Sequence, residues 1–332
     1  MRCLQPAESL GEKGFDVEVG NIRKVLPTKN GIIFFHRTPS NAFTRSFLRL
    51  ARSYGNVLVY DTDDLTIIEA KQKDHVMHLC DAITVSTEFL KKEFAKHFEP
   101  VIVIRNALSS AYWQAATAIR ESKYEGDNKY VTMAYLSGSA THDDDFKIIE
   151  QSLLELLNQY DQTRLILAGK LNFSKDFFQF QDRFINYEFM SYTDYVNLYK
   201  CIDINLAPLD VDKPFNQGRS ELKYMEAGAC GIPTVASPTD SYLHAIEPGV
   251  NGLLASGGEW KSQLIKLINN SELRRELGVK ACADMSANYL GDSRVREYID
   301  LIHRLKDQQN VRSGPLRRLA CLTSVYLTRL IR

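Results

Sequence analysis

The sequence predicts an α/β protein made of two units, each built on a parallel β-sheet. Short apolar runs rich in β-branched and aromatic residues alternate with segments of helical length, and the pattern stops once, in a polar interval at residues 121–129. Continuous apolar strands of this kind are typical of parallel sheets that helices cover on both faces. The chain has 332 residues, enough for two domains of ordinary size. Each unit is therefore expected to be Rossmann-like.

The domain expected over residues 1–120 starts with a helix at residues 2–14 and a strand at residues 15–19. Four more strands are expected at 32–35, 57–60, 82–85 and 101–104, with helices at 41–54 and 87–97. After the linker at 121–129, a second domain is expected over residues 130–290. Its strands are expected at 131–136, 164–168, 184–189, 202–206 and 234–236, and its helices at 144–160, 193–201, 259–269 and 271–288.

Composition excludes several classes of function. Lys plus Arg equals Asp plus Glu at 41 each, so no overall field favours nucleic acid or a membrane. The six cysteines are scattered without the spacing of zinc or redox motifs, and no metal site is expected. We expect a cytoplasmic protein, because the N-terminus has no apolar signal-peptide core and no apolar run reaches the roughly 20 residues that span a bilayer.

Residues 213–237 carry the strongest functional signal. A helix is expected over residues 220–229, and Arg219, Lys223 and Glu226 fall at spacings of four and three, which places all three on one side of its first turns. Two cations and a carboxylate at a helix start would suit a diphosphate and its attached ribose. The loops at 137–143 and 208–220 follow predicted strands, and their small residues let the backbone approach a phosphate.

Three segments resemble one known family. They are residues 214–237, with Glu-Ala-Gly-Ala at 226–229 and Gly-Ile-Pro at 231–233, residues 137–146, beginning Ser-Gly-Ser, and residues 246–254, with Gly-Val-Asn-Gly at 249–252. In this order they resemble the donor domain of bacterial group 1, family 4-like glycosyltransferases. The resemblance implies the GT-B fold, in which two Rossmann-like domains with parallel sheets face a central cleft.

The resemblance also implies roles for particular residues. Glu226 matches the glutamate that takes the ribose hydroxyls of the donor, which suits a carboxylate because it accepts from two hydroxyls at once. The chain departs from the family at Gly218, where many members have a second glutamate, and at Ser139 and Asp145, which match an arginine and a lysine. Arg219 and Lys223 are expected to replace those cations. The expected donor-binding residues are Gly138, Ser139, His142, Asn216, Arg219, Ser220, Glu221, Lys223 and Glu226.

The strand at residues 57–60 leads into Asp61-Thr-Asp63-Asp64, for which three interpretations stay open. Asp63 and Asp64 match the last two residues of a family motif and would be catalytic, near the reacting sugar carbon. Alternatively, Asp61 and Asp63 bind a divalent ion or form an aspartyl nucleophile. The third interpretation makes these residues caps of a helix beginning near residue 65. His36 and Arg37, at the end of another strand, are expected on the acceptor side.

The two ends of the chain are unusual. The family's acceptor domain opens with a β-strand, which this chain is expected to lack together with its glycine-rich turn. A closing helix and tail are expected over residues 291–332, and residues 310–332 carry five arginines, no acidic residue and interleaved leucines. Such a basic amphipathic helix could lie on the inner face of a membrane or pack on its own protein.

The resulting hypothesis is a retaining, metal-independent glycosyltransferase of cell-surface polysaccharide biosynthesis. It would use a UDP-, GDP- or dTDP-sugar as co-substrate, need no other cofactor, and act on a glycan or lipid-linked acceptor. Two alternatives remain: a non-catalytic nucleotide-binding partner subunit of a glycosyltransferase complex, and a magnesium-dependent phosphotransferase that uses Asp61 and Asp63.

Overall fold

The computed structural model describes residues 2–23, 27, 29–65, 75–123, 129–137, 143–188, 190–308 and 319–323. Two compact units are present. Unit 1 comprises Met1–Ser109, Gly218–Ser220 and Leu290–Arg332, and unit 2 comprises Ser110–Gln217 and Glu221–Tyr289. The first boundary between the units lies at residues 109–110. A linker was predicted further along the chain, in the polar interval at 121–129. Residues 110–123, which lie between the two positions and reach into that interval, form a helix.

Both units alternate strands with helices. The strands are β1 (Val17–Asn21), β2 (Ile32–His36), β3 (Val57–Thr62), β4 (Ala82–Val85), β5 (Val101–Val103), β6 (Val131–Leu136), β7 (Thr163–Ala168), β8 (Phe184–Tyr187), β9 (Ile204–Ala207), β10 (Thr234–Ala236), β11 (Leu253–Leu254) and β12 (Leu319–Thr323). The helices are α1 (Leu4–Glu12), α2 (Ala42–Ser53), α3 (Glu88–Ala95), α4 (Ser110–Lys123), α5 (Asp143–Gln159), α6 (Tyr192–Leu198), α7 (Pro214–Gln217), α8 (Leu222–Ala229), α9 (Asp240–Ala245), α10 (Glu259–Asn269), α11 (Ser271–Asp284) and α12 (Gly291–Gln308). Short 3₁₀ helices cover Val76–Leu79, Lys175–Arg183 and Tyr199–Cys201, and a π-helical turn covers Met285–Tyr289.

Each unit contains one six-stranded sheet in which the paired strands run parallel. The order is β1-β12-β2-β3-β4-β5 in unit 1 and β11-β10-β9-β6-β7-β8 in unit 2. This confirms the predicted class of an α/β chain with two parallel-sheet domains. Because the carboxyl ends of parallel strands share one edge, the loops after β2, β3 and β5 meet in unit 1, and those after β6 and β9 meet in unit 2.

The structure of the C-terminal tail differs from the predicted amphipathic helix. Residues 319–323 form strand β12, which lies between β1 and β2 with Leu319 opposite both Val17 and Ile32. The prediction of a continuous amphipathic helix over residues 310–332 is therefore wrong for residues 319–323. The other residues of that range lie outside the described residues. The apolar residues that suggested a helical stripe here include a run with β-strand character, Leu-Ala-Cys-Leu-Thr.

Side-chain caps explain where several helices begin. Asn41 accepts a hydrogen bond from the backbone of Thr44 at the start of α2, and Thr87 accepts one from Leu90 at the start of α3. Ser191 does the same at the start of α6. These residue types satisfy the free N–H groups of a first helical turn and stabilise it by about 1 kcal/mol each.

Helix α8, which carries two of the predicted donor residues, packs against β9, β10 and α11. Trp260, Tyr135 and Phe146 are fully buried in the core of the same unit. At the contact with α11, a Cβ at Gly278 would lie 2.1 Å from the backbone oxygen of Gly231. Only glycine permits this approach, which fixes the turn that follows α8.

No helix within the described ranges is both long enough and apolar enough to cross a membrane. Over the same ranges there is also no group of three His, Cys, Asp or Glu side chains placed to hold a metal ion.

Candidate functional site

The helix at the centre of the predicted donor site begins later than expected. Helix α8 starts at Leu222 rather than residue 220, so Arg219 precedes it and does not share its surface with Lys223 and Glu226. The expectation that all three project from one helical face is therefore wrong. Glycine at 218 and the serine at 220 favour an irregular backbone here. Arg219 belongs to the short stretch Gly218–Ser220 that clusters with unit 1.

Lys223 lies at the carboxyl end of β6. Its ammonium donates a hydrogen bond to the backbone oxygen of Leu136 and lies 4.8 Å from the ring centroid of Tyr135. Leu136 is the last residue of β6, where the loop with the predicted small residues begins. Lys223 thus places a cation at the strand end where a parallel sheet usually binds its ligand.

Glu226 lies one turn further along α8 and is 6% exposed. Its Oε2 accepts hydrogen bonds from the hydroxyls of Tyr195, at 2.7 Å, and Tyr199, at 3.4 Å. No described residue donates to Oε1. Burial raises the pKa of Glu226, although the tyrosine hydrogen bonds and the nearby charge of Lys223 lower it in part. The two tyrosines therefore hold one carboxylate oxygen in place.

The sequence did not identify these tyrosines. They lie four residues apart, Tyr195 within α6 and Tyr199 in the 3₁₀ turn after it. Tyr199 is fully buried and Tyr195 is partly buried. Spacing of four on a helix was their only visible signal, and it is equally typical of ordinary core residues.

Two other residues predicted to bind the donor, Asn216 and Glu221, form hydrogen bonds within the protein. Asn216 is buried, and its amide nitrogen donates to Asp145 Oδ1 at 2.7 Å and to the backbone oxygen of Asp210 at 3.0 Å. It therefore ties the loop after β9 to the first turn of α5. Glu221 is fully buried and accepts a hydrogen bond from Tyr289 at 3.2 Å. Gly138, Ser139 and His142 lie outside the described residues.

Unit 1 contains a second cluster, centred on the buried carboxylate of Asp61. Arg2 donates to both of its oxygens, Thr84 donates to Oδ1 at 2.6 Å, and His36 Nδ1 lies 2.8 Å from Oδ2. Burial alone would raise the pKa of Asp61, but the charge of Arg2 and the hydrogen bonds of His36 and Arg2 hold it well below its usual range. Asp61 is therefore ionised and fully engaged.

The contacts of Asp61 disfavour the interpretation in which Asp61 and Asp63 bind a divalent ion. A metal ion at Asp61 would have to displace Arg2, His36 or Thr84 from its oxygens, and Arg2 is itself buried. The third interpretation makes these residues caps of a helix beginning near residue 65, and residues 66–74 lie outside the described residues.

The predicted catalytic pair lies beside His36. Asp63 Oδ1 is 3.9 Å from His36 Nε2 and 3.7 Å from Arg37 Nη1, and no hydrogen bond reaches it from the described residues. Asp64 forms an ion pair with Arg37. Arg37 has a φ of 45°, a left-handed conformation that costs a non-glycine residue about 1–3 kcal/mol. The structure thus brings His36, Arg37, Asp63 and Asp64 together at the carboxyl edge of β2 and β3.

Protonation of His36 is expected to stabilise unit 1. Burial acts to lower the pKa of His36, but the hydrogen bond and charge of Asp61, with smaller contributions from Cys3 and Asp63, raise it above its ordinary 6.5. The folded state therefore binds this proton more tightly than the unfolded state. The extra stability is present below pH 6.5 and is lost as the pH rises through the raised value. The loss of unfolding free energy caused by His36→Gln should be larger at pH 6 than at pH 8, measured by urea denaturation.

The matched control is His303→Gln, since His303 is exposed on α12 of the same unit. Its effect on stability should be small at both pH values. Equal losses for His36→Gln at pH 6 and pH 8 would show that the Asp61 contact does not favour the imidazolium.

Comparisons with known proteins bear first on the fold. The chain is similar to the Anabaena protein HepE in complex with UDP, with a TM-score of 0.63 and 15% identity over 85% of this chain and 80% of that one. It is also similar to sucrose-phosphate synthase from Thermosynechococcus elongatus, with a TM-score of 0.59 and 14% identity over 83% and 74% of the two chains. At these identities the likeness concerns the fold, which is GT-B.

Sequence comparisons bear on the family. Residues 149–300 match the family model described as glycosyl transferase-like. An uncharacterised glycosyltransferase of Methanocaldococcus jannaschii is 30% identical over 118 residues, which are 34% of this chain and 30% of that protein. The chain therefore spans less than a third of that relative's length in the match. Together with the fold, these findings confirm the predicted resemblance to group 1 glycosyltransferases.

Proposed function

We propose that the chain is a glycosyltransferase that takes a sugar from a nucleotide diphosphate sugar, with a UDP-sugar as the first candidate. The observation that carries this proposal is the carboxylate of Glu226, which two tyrosines hold by one oxygen while no described residue donates to the other. A fixed, buried carboxylate of this kind is suited to a pair of ribose hydroxyls. The UDP bound by the similar Anabaena protein supports the choice of base.

The proposed chemistry is electrostatic. The bond between the anomeric carbon and the diphosphate oxygen breaks, the acceptor oxygen forms the new glycosidic bond, and the acceptor's proton leaves with the diphosphate. Lys223 would stabilise the charge that develops on the departing diphosphate, and Glu226 would fix the ribose. We propose retention of configuration and independence of metal ions. The full engagement of Asp61 by Arg2, His36 and Thr84 supports the second point.

The acceptor is proposed to be a glycan or a lipid-linked saccharide of cell-surface polysaccharide synthesis. Its reacting hydroxyl would approach the carboxyl edge of the unit 1 sheet, where His36, Arg37, Asp63 and Asp64 are clustered. Asp63 is the candidate to accept a hydrogen bond from that hydroxyl, because its Oδ1 receives none from the described residues. Membrane contact through residues 310–332 loses part of its support, because residues 319–323 form strand β12 instead of the expected helix.

Turnover of radiolabelled UDP-, GDP- and dTDP-sugars in excess EDTA tests the proposal. We expect release of free sugar or transfer to added acceptor from one donor class, at the same rate with EDTA as with magnesium. A strict magnesium requirement would favour the phosphotransferase built on Asp61 and Asp63. Tight nucleotide binding without turnover of any donor would favour the non-catalytic partner subunit.

A further inference from the structure

Within the described part of the chain, the carboxylate of Glu226 accepts hydrogen bonds only from tyrosine hydroxyls. Tyr195 and Tyr199 both donate to its Oε2, and their rings meet edge to face with their centroids 6.0 Å apart. A third tyrosine, Tyr112 on α4, donates to the backbone oxygen of Glu226 at 3.0 Å. Glu226 is therefore fixed through its side chain and through its backbone.

Tyrosine suits this task because it remains a neutral donor. Burial raises the pKa of Tyr195 and of Tyr199 well above the ordinary value of 10, and the charge of Glu226 adds to this, so each hydroxyl keeps its proton. A neutral donor orients a carboxylate without cancelling its charge, whereas a guanidinium does both. Asp61 provides the contrast within the same protein, because the guanidinium of Arg2 pairs with it.

The two hydrogen bonds to Oε2 are unequal. The 2.7 Å distance from Tyr195 is ordinary for a hydrogen bond between two oxygens, whereas the 3.4 Å distance from Tyr199 is longer than usual. Burial raises the pKa of Glu226, and the hydrogen bond from Tyr195, the charge of Lys223 and the hydrogen bond from Tyr199 act against it. Tyr195 therefore makes the stronger of the two contacts that oppose protonation of this carboxylate.

Other titratable groups face Glu226 from the elements around it. Together with the two tyrosines on its carboxylate, the described set is Lys223 on the same helix, Tyr112 on α4 and Tyr192 at the start of α6. Lys223 is the one cation in this set. The charge state of Glu226 therefore depends on one ammonium group and on neutral hydroxyl donors.

We propose that Tyr195 is a positioning residue of the donor site, which turns Oε1 of Glu226 toward the ribose of the nucleotide and keeps the carboxylate charged. This inference rests on the proposed function, in which Glu226 binds the ribose hydroxyls. Tyr195 acts through Glu226, since its hydroxyl is already used in the contact with Oε2. Without that hydroxyl, burial is opposed less, and Glu226 gains its proton at a higher pH.

Calorimetric titration of UDP into the full chain and into Tyr195→Phe, at pH 6 and at pH 8, tests the proposal. Phenylalanine keeps the ring and loses only the hydroxyl, and circular dichroism checks that the variant is folded. The ratio of the two dissociation constants cancels the titration of UDP itself, which both proteins share. We expect the variant to bind UDP more weakly at both pH values, with a ratio at least about fivefold larger at pH 6 than at pH 8.

Three further variants separate this role from a structural one. Tyr199→Phe should show the same trend with a smaller ratio, because its contact is longer. Tyr187→Phe, an exposed position at the end of β8, should bind UDP like the unmodified protein. In Glu226→Gln there is no carboxylate to protonate, so adding Tyr195→Phe to it should introduce no new pH dependence.

Two results would count against the proposal in different ways. An equal ratio for Tyr195→Phe at pH 6 and pH 8 would overturn the role of Tyr195 and leave the donor site itself standing. Failure of the unmodified protein to bind UDP, GDP or dTDP at either pH would overturn the proposed function, and this inference with it.

Discussion

Replacing Glu226 by glutamine is expected to raise the dissociation constant for UDP by about 10- to 100-fold, the equivalent of losing a hydrogen bond to a charged group worth about 1.5–3 kcal/mol. Glutamine keeps the volume of the side chain and can still accept from Tyr195. With its oxygen held by Tyr195, its NH₂ group takes the place of Oε1 and cannot accept a hydrogen bond from a ribose hydroxyl. Calorimetric titration of UDP into each protein measures the difference.

The effect should also depend on pH. Burial raises the pKa of Glu226 above that of an ordinary glutamate, so protonation weakens UDP binding as the pH falls, beginning at a higher pH than for an exposed glutamate. The glutamine variant has no proton to gain and should lack this part of the pH dependence. Glu276→Gln, an exposed position on α11 of the same unit, is the control and should bind UDP normally. A normal UDP affinity in Glu226→Gln would remove Glu226 from the donor site.

Asp61→Asn is expected to lower the free energy of unfolding by about 3–5 kcal/mol at pH 7, the usual cost of breaking a buried ion pair by removing one partner. The substitution keeps the shape of the side chain but leaves Arg2, which is 7% exposed, without its negative partner. It also removes the carboxylate that favours protonated His36. Urea denaturation followed by circular dichroism measures the loss.

A neighbouring carboxylate provides the comparison. Asp64 pairs with Arg37, whose side chain is 48% exposed, so Asp64→Asn should cost no more than about 1 kcal/mol. The pKa of Asp61 is lowered, so its contribution is present above pH 3.8, its ordinary value, and is lost as the pH falls below that. Equal small losses for the two variants at pH 7 would mean that Arg2 is not held by Asp61 in solution.

Much of the fold followed from sequence because its strands are short, continuous apolar runs. The runs at 32–35, 82–85 and 131–136 became β2, β4 and β6 with little change at their ends. Strand β12 was missed because its residues lie in a basic tail whose leucines also fit a helical stripe. Its place between β1 and β2 depends on pairing with distant strands, which periodicity does not report.

The site was predictable in part for the same reason. Lys223 and Glu226, whose signal lay in one local motif, do lie on one short helix, and Lys223 contacts the carboxyl end of β6. The residues that hydrogen-bond to the functional side chains come from distant parts of the sequence. Tyr195 and Arg2 carry no local pattern that points to a site, and they contact Glu226 and Asp61 across separations of 31 and 59 residues.

A crystal structure of the chain with bound UDP tests the donor site most directly. We predict that the ribose hydroxyls lie within hydrogen-bond distance of Glu226 Oε1 while Tyr195 still holds Oε2, and that the diphosphate lies beside Lys223. UDP bound with its ribose away from Glu226 would contradict the assignment of this helix to the nucleotide sugar.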